Sequence, residues 1–253
     1  MSTVLTIART EARRIFVSPL AWAVLAGLQV VLGFVFWASV VGFANSQMMG
    51  GGDASFGVTD YVVAGTLVGF PMILMLLVMP LMTMRLFADE RRSGSIVLLF
   101  SAPVSLVELV AGKFLGLLAF VGAVIGLLAL MCAALEPATH WQLDLGRVAA
   151  GLLGMFLMLA GFGAAGLFVS TLTREPVIAA VVSFVVLLMA WLIQVPATLE
   201  GMPLPDLWNY LSLYSHMESL RRGVFNSSDL VYFLLFILLF LWLAVLRLDM
   251  ERN

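Results

Sequence analysis

The stretch Phe114-Leu115-Gly116-Leu117-Leu118-Ala119-Phe120-Val121-Gly122-Ala123-Val124-Ile125-Gly126-Leu127-Leu128-Ala129-Leu130-Met131-Cys132-Ala133-Ala134-Leu135 carries no charged side chain and no proline. As an α-helix it reaches about 33 Å, slightly more than a bilayer's hydrocarbon core. It does not alternate apolar with polar residues as a barrel strand must, and in lipid a helix then remains the way to satisfy the backbone. Five more apolar runs follow the same logic: Leu20–Phe43, Tyr61–Met84, Val148–Leu172, Val177–Val195 and Leu230–Leu246. The last two are the shortest. The whole composition agrees, with 62% hydrophobic and 11% charged residues and a mean hydropathy of +1.10. Thirteen basic and fifteen acidic side chains are too few to give a body of this size a polar skin. A soluble domain and a disordered chain are excluded, and a net charge of -2 offers nucleic acid no basic patch. The expectation is an all-α membrane protein with six transmembrane helices.

Ahead of the first span, Arg9, Glu11, Arg13 and Arg14 rule out a signal peptide's apolar core. With Val4, Leu5, Ile7, Ala8, Ile15 and Phe16 they describe an amphipathic helix over residues 1–19, lying at the membrane surface. Residues 20–253 form the spanning domain. Counting Lys and Arg between alternate loops puts ten on one side (Arg9, Arg13, Arg14, Arg85, Arg91, Arg92, Lys113, Arg174, Arg247, Arg252) and three on the other (Arg147, Arg221, Arg222). The positive-inside rule then places both termini in the cytoplasm. The inner side has the loop 85–113 and the tight turn Thr173–Pro176; the outer side has 45–60, 136–146 and the long loop 196–229.

No Asp, Glu, Lys, Arg or His lies deep within the six runs; Gln29, Thr66, Ser183 and Gln194 are the mild polar exceptions. Ion-coupled transporters and pumps usually keep an ionisable group at depth, and an intramembrane hydrolase needs a nucleophile with a base or a metal. Neither pattern is present. Nor does the chain carry a P-loop: at its only Gly-Lys pair, Gly112-Lys113, Val107 replaces the first Gly and Phe114 the Ser or Thr. Gly161-Phe162-Gly163-Ala164-Ala165-Gly166 matches the dinucleotide fingerprint by letter, but it lies in an apolar helix with no strand before it. It reads as a small-residue packing seam, as do Gly112/Gly116 and Gly122/Gly126. His216-Met217-Glu218 lacks the P-C-x-x-C that a zinc deaminase needs, since Cys132 is the one cysteine. No spacing joins His140 to His216 as metal ligands. The sequon Asn226-Ser227-Ser228 falls in the outer loop.

Two loops carry information. In the inner one, Arg85, Asp89, Glu90, Arg91 and Arg92 form the densest charge cluster in the chain. Ser93-Gly94-Ser95 marks a turn, Ile96–Phe100 a short apolar helix stopped before Pro103, and Ser105-Leu106-Val107-Glu108 a capping box opening the next helix. This is either a solvated anchor or a docking knob, an apolar helix on a charged stem that passes a partner's movement to the spans. In the outer loop Pro196, Pro203 and Pro205 interrupt any long helix. Ser215–Glu218 reads there as a second capping box, opening a helix over about His216–Arg222 that Gly223 ends. Arg221 and Arg222 either cap that helix and snorkel to headgroups or meet an anionic substrate.

The run Phe87–Val104, with Glu90, Arg92, Gly94, Ser95, Ile96, Leu99, Ser101, Pro103 and Val104 at the telling positions, resembles the signature of ABC-2-type transporter permeases. Ser95 stands where Thr is frequent and Val97 where an acidic residue is often seen. The segment Ser215-His216-Met217-Glu218-Ser219-Leu220-Arg221-Arg222-Gly223-Val224-Phe225, with Asp229-Leu230-Val231-Tyr232-Phe233, looks like the ending of gliding-motility-type permease subunits. The resemblance implies a six-span permease with an N-terminal elbow helix (Arg9, Glu11, Arg13, Arg14) and short outer re-entrant helices. It implies a coupling helix around Asp89–Ser101 seated on a separate ATPase, with Asp89, Glu90, Arg91, Arg92, Gly94, Ser95 and Ile96 as contact residues. Thr173, Arg174 and Glu175 would make the second contact, and His216, Glu218, Arg221 and Arg222 would border the outer gate. Two permease chains, identical or related, would pair above two ATPase subunits in the cytoplasmic membrane, with ATP and Mg on those subunits and no cofactor on this chain. Phe70, Met72, Met75, Met79, Met82, Met84, Met189 and Trp191 would suit a path for a lipid-like or amphipathic cargo. The alternatives are a mechanotransmitter acting on envelope partners without transport, and a scaffold or channel with no ATPase.

Overall fold

The computed structural model describes residues 3–48, 59, 61–62, 69–101, 104–135, 143–193, 195–198 and 205–252. Among them the regular elements are helices, in the order α1 (Thr3–Val17), α2 (Pro19–Met48), α3 (Phe70–Thr83), α4 (Ala88–Ser93), α5 (Ile96–Ser101), α6 (Leu106–Leu135), α7 (Leu145–Ser170), α8 (Pro176–Leu192), α9 (Val195–Thr198), α10 (Pro205–Leu211), α11 (Leu213–Arg221) and α12 (Ser227–Arg252). Five helical stretches are long and apolar enough to cross a membrane: Pro19–Asn45, Phe70–Ser93, Leu106–Leu135, Leu145–Ser170 and Ser227–Arg252. The apolar helix Pro176–Leu192 is shorter. The protein is an all-α, multi-pass membrane protein. His140, Pro203 and most of the loop 45–60 lie outside the described residues, as does much of the first half of the run Tyr61–Met84.

Sequence chemistry explains the boundaries. Pro19 cannot continue α1, so it opens α2 while Ser18 Oγ accepts the Leu20 N–H at 3.3 Å. The Trp22 indole donates to the Phe16 carbonyl at 2.7 Å and closes the bend. Ser105 and Glu108 make the reciprocal capping box: Ser105 Oγ accepts from Glu108 N at 3.2 Å, and Glu108 Oε2 accepts from Ser105 N at 3.1 Å. Ser105→Ala should cost about 1 kcal/mol, read as a lower unfolding midpoint in detergent. A midpoint unchanged in that variant would show that packing alone starts α6. Asp144 caps α7 by accepting from Arg147 N at 3.1 Å.

The second capping box is not made. α11 begins one turn earlier, at Leu213, where Ser212 Oγ accepts from Ser215 N at 3.2 Å. Glu218 is held by Arg221 and Arg222 instead. Charged partners nearby on the same helix outcompete a lone backbone N–H. Gly223 does end the helix, at φ 80°.

α7 is the central helix. Within its apolar window 78% of residues are buried, against 17% for α2 and 22% for α12, so those two present their apolar faces outward. The small-residue seam on α7 is packing. A Cβ on Gly163 would meet Leu117 at 2.8 Å, one on Gly166 would run into Thr83, and one on Gly154 would meet Leu220 at 2.9 Å. On α6 the two glycine pairs part company. Gly112 and Gly116 receive α1, whereas Gly122 and Gly126 have nothing within 4 Å. Met72, Met75, Met79 and Met82 are buried in the core around α7, which gives them packing work rather than a place on an open path. Met189 is exposed, and Phe70 and Trp191 are half-buried.

Candidate functional site

The densest charge cluster in the chain builds a stem and a knob. In α4, Ala88 and Arg91 are one turn apart and buried, while Arg92 and Ser93 face out. Gly94 then takes the left-handed conformation at φ 74°, which a residue with a Cβ rarely adopts, and reverses the chain. Ser93 and Ser95 bridge their hydroxyls at 2.9 Å across this turn, and each lies within hydrogen-bond reach of the Glu90 carbonyl. α5 follows with Ile96 buried and Val97 67% exposed. The knob thus has an anchored side and a free side.

The stem is locked by a side chain that the sequence leaves looking like a loop anchor. Lys113 is on α6, 2% exposed. Its Nζ is 2.6 Å from Glu90 Oε1 of the stem and 3.5 Å from Glu11 Oε2 of α1, and it donates to the Leu86 carbonyl at 2.8 Å. The Phe87 ring lies 5.0 Å from the ammonium. Arg14 adds contacts to Glu11, Asp89 and Glu90 at 3.6, 3.5 and 3.7 Å. Burial, only partly offset by Lys113, holds the Glu90 carboxyl above the ordinary carboxylate range. α1 can bring Glu11 this close because α6 has no side chain in the way. A Cβ on Gly116 would lie 2.7 Å from that of Glu11, and one on Gly112 would lie 2.6 Å from Ile7 Cγ2. The elbow helix therefore turns a charged residue inward, with Glu11 its buried position, while Leu5 and Val17 face out. Arg9 and Arg13 are exposed.

Behind the stem, Arg91 pairs with Glu251 in the last turn of α12. Burial pulls the Arg91 pKa below its ordinary value; Arg247 and Arg174 add to that, and Glu251 opposes it. The Arg174 turn sits beside the stem. Thr173 Oγ1 accepts from Glu175 N at 3.1 Å, Pro176 opens α8, and Arg174 and Glu175 are exposed. A cleft of about 260 Å³ opens between α1, α5 and α6, lined by Thr10, Glu11, Glu90, Leu99, Leu109 and Lys113.

The opposite end holds the second cluster. His216 on α11 is buried, with Nδ1 2.6 Å from Asp229 Oδ1 and Nε2 2.9 Å from the Tyr210 carbonyl. A carbonyl only accepts, so Nε2 carries a proton and donates. The imidazole stacks on Tyr232 at 4.1 Å, and the Tyr232 hydroxyl donates to the Leu211 carbonyl at 2.6 Å. Arg221 and Arg222 both bond Glu218, at 2.6 and 3.0 Å. Burial would raise the Glu218 pKa, but hydrogen bonds and charge from the two arginines bring it below the usual value. These arginines are thus compensated by their own helix.

Of the residues expected at the coupling face, Arg92, Gly94, Arg174 and Glu175 are exposed, and Asp89, Ser95 and Thr173 are half-buried. Glu90, Arg91 and Ile96 turn into the protein. Sequence reading missed Lys113 and Glu251 as members of these clusters, and it placed Asp229 and Tyr232 in the same motif as His216 without giving them a role. The adjacency of Lys113 to the Gly112/Gly116 pair was the available signal, since a helix docked on two glycines also covers their neighbours on that face. Both clusters tie elements together; neither presents a nucleophile with its base.

The family model described as ABC-2 family transporter protein matches residues 5–251. Among curated proteins, none matches this sequence. That match spans the elbow helix, the stem and knob, the apolar helices and the far-end cluster together, so the chain belongs to the ABC-2 transporter family and is a membrane permease of an ABC transporter.

Proposed function

We propose that this permease is the membrane half of an ATP-driven exporter, with the knob of α4 and α5 as the surface on which a separate ATPase sits. The observation that carries the reading is the division of labour in the knob. Its apex (Arg92, Ser93, Gly94, Val97) is exposed, while its base is clamped to α1, α6 and α12 through Glu90, Lys113 and Arg91. A surface that must receive force needs that combination, a free contact face on a base that cannot fold away. Arg174 and Glu175 lie beside the stem and extend the same face. The ATPase end is cytoplasmic, and both termini lie there in the cell membrane. Two copies, or this chain and a related one, pair above two ATPase subunits that bind ATP and Mg. Placement in the gliding-motility-type branch rests on the segment around His216 to Gly223 and is part of this reading. The exposed faces of α2 and α8 are apolar, with Val30, Phe34, Trp37, Val181 and Val185 among them. A path bordered by such faces suits a lipid-like or amphipathic cargo.

Arg92→Glu combined with Val97→Asp tests the docking face. Neither side chain packs into the chain, so the variant folds normally, and it should fail to retain or stimulate the ATPase that co-purifies with the wild type. Full stimulation by that variant would overturn the assignment. Charge reversal at Asp89 and Glu90 is a poorer test, because it also breaks pairs with Arg14 and Lys113.

A further inference from the structure

α12 is a single uninterrupted helix of 26 residues, about 39 Å long, with a polar contact at each end whose partner on the neighbouring element, Arg91 or His216, is buried. In its first turn Asp229, 4% exposed, meets His216 of α11. In its last turn Glu251 meets Arg91, whose side chain is 4% exposed, in the stem α4. Between these ends it packs along α7 and α6, yet only 22% of its apolar window is buried. The inner contact adds to the Lys113 clamp on α4, and the outer one adds to the packing of α11 on α7. α4 has six residues and α11 nine, too few to be stable helices alone.

We infer that α12 is a tie-rod: through Arg91–Glu251 and His216–Asp229 it links the position of the stem to the position of the outer helix α11. This rests on the reading of the knob as the ATPase seat and adds a route and named positioning residues. The physical argument is directional. A side chain buried with one charged partner holds that partner in one geometry, because leaving it exposes an uncompensated charge to the interior. A helix resists axial strain, so displacement of its last turn is felt at its first. Stacking of His216 on Tyr232, one turn further along α12, makes the outer grip two-sided, since ring and carboxylate are on the same helix. The fixed donor Nε2–H to Tyr210 then carries the same displacement to α10. Seam contacts of α11 with α7, such as Leu220 on Gly154, provide the surface over which α11 would shift.

The test is hydrogen exchange on the full chain in nanodiscs. Glu251→Gln should speed amide exchange across Leu213–Arg221 by about tenfold, because α12 then holds α11 without an anchored inner end and one constraint on its local opening is lost. The swap Arg91→Glu with Glu251→Arg should restore it. Reciprocally, Asp229→Asn should speed exchange across Ala88–Ser93, since coupling between two sites acts in both directions. Exchange changes confined to α4 and the last turn of α12 in the first variant, or to α11 and the first turn in the second, overturn the tie-rod. The reciprocal variant keeps the proposal decidable if Glu251→Gln does not fold. The same measurement with the co-purifying ATPase separates the two readings. If trapped nucleotide leaves α4 and α5 of the wild type unaltered, the ATPase seat is wrong, whereas the two-ended linkage still stands or falls by the exchange of the isolated chain.

Discussion

Lys113→Met lowers the stability of the folded chain by about 3 kcal/mol and abolishes ATPase coupling in the expected outcome. The magnitude follows from what stays behind. Removing one partner of a buried ion pair costs about 3–5 kcal/mol, because the other charge remains poorly solvated and without its counter-charge. Here two carboxylates remain, Glu11 and Glu90, and the low end of the range applies because Arg14 stays at 3.6 and 3.7 Å from them. The pH dependence has a definite sign. Glu90 already has its pKa raised in the folded chain, so the folded state holds its proton more tightly and stability falls as pH rises through the raised value. Losing Lys113 raises that value further, so the deficit of the variant shrinks as pH falls through the carboxylate range. Adding Glu90→Gln to Lys113→Met should recover most of the stability and none of the coupling, since the stem then has no charged link to α6. The check is thermal unfolding in detergent at two pH values beside stimulated ATPase. An undiminished midpoint for Lys113→Met at neutral pH would sink the hub.

Gly116→Leu is the second large effect, and Gly122→Leu is its control on the same helix. At position 116 a Cβ would meet Glu11 Cβ at 2.7 Å and the backbone of Ala8 and Ala12 at 3.1 Å. A side-chain tip can swing aside, but backbone cannot, so α1 must leave α6 as a body and take Glu11 away from Lys113. Overpacking of this kind costs about 1–3 kcal/mol, and loss of the ion-pair geometry adds to it. At position 122 nothing lies within 4 Å, so Leu is neutral or slightly stabilising through its higher helix propensity. The measurement is unfolding of both variants, with proteolysis at Arg9 and Arg13 reporting release of α1. Equal behaviour of the two would show that α1 does not depend on the seam.

The architecture was legible because it follows from transfer energies that every residue of a run contributes to in the same direction. An uncharged run such as Phe114–Leu135 can be stable in lipid only as a helix, and the turn at Ser93-Gly94-Ser95 needs a glycine wherever its neighbours lie. The Ser105–Glu108 box was read correctly because it closes over three residues. Its counterpart at Ser215 was misread because Arg221 and Arg222, one turn on, compete for the same carboxylate. The apolar runs also understated the helices. α12 runs over Ser227–Arg252 rather than Leu230–Leu246, because polar helical turns continue past the hydrocarbon where the hydropathy signal stops, whereas the Ser105 box had already marked the start of α6 at Leu106.

The sequence by itself determined the solvent, the class of fold, the family and the place of the knob, all properties carried by local composition or by short motifs. Tertiary structure alone decided which charges stay at the surface and which are internal clamps. Glu11, Glu90 and Lys113 lie far apart in the chain, and Arg91 and Glu251 are separated by 160 positions. Whether such groups meet depends on how closely α1 docks on two glycines of α6 and on where the last turn of α12 ends, and no local pattern encodes either distance. The physical reason is that burying a charge is unfavourable until its partner arrives, so a clamp becomes visible only when the packed helices bring both halves together.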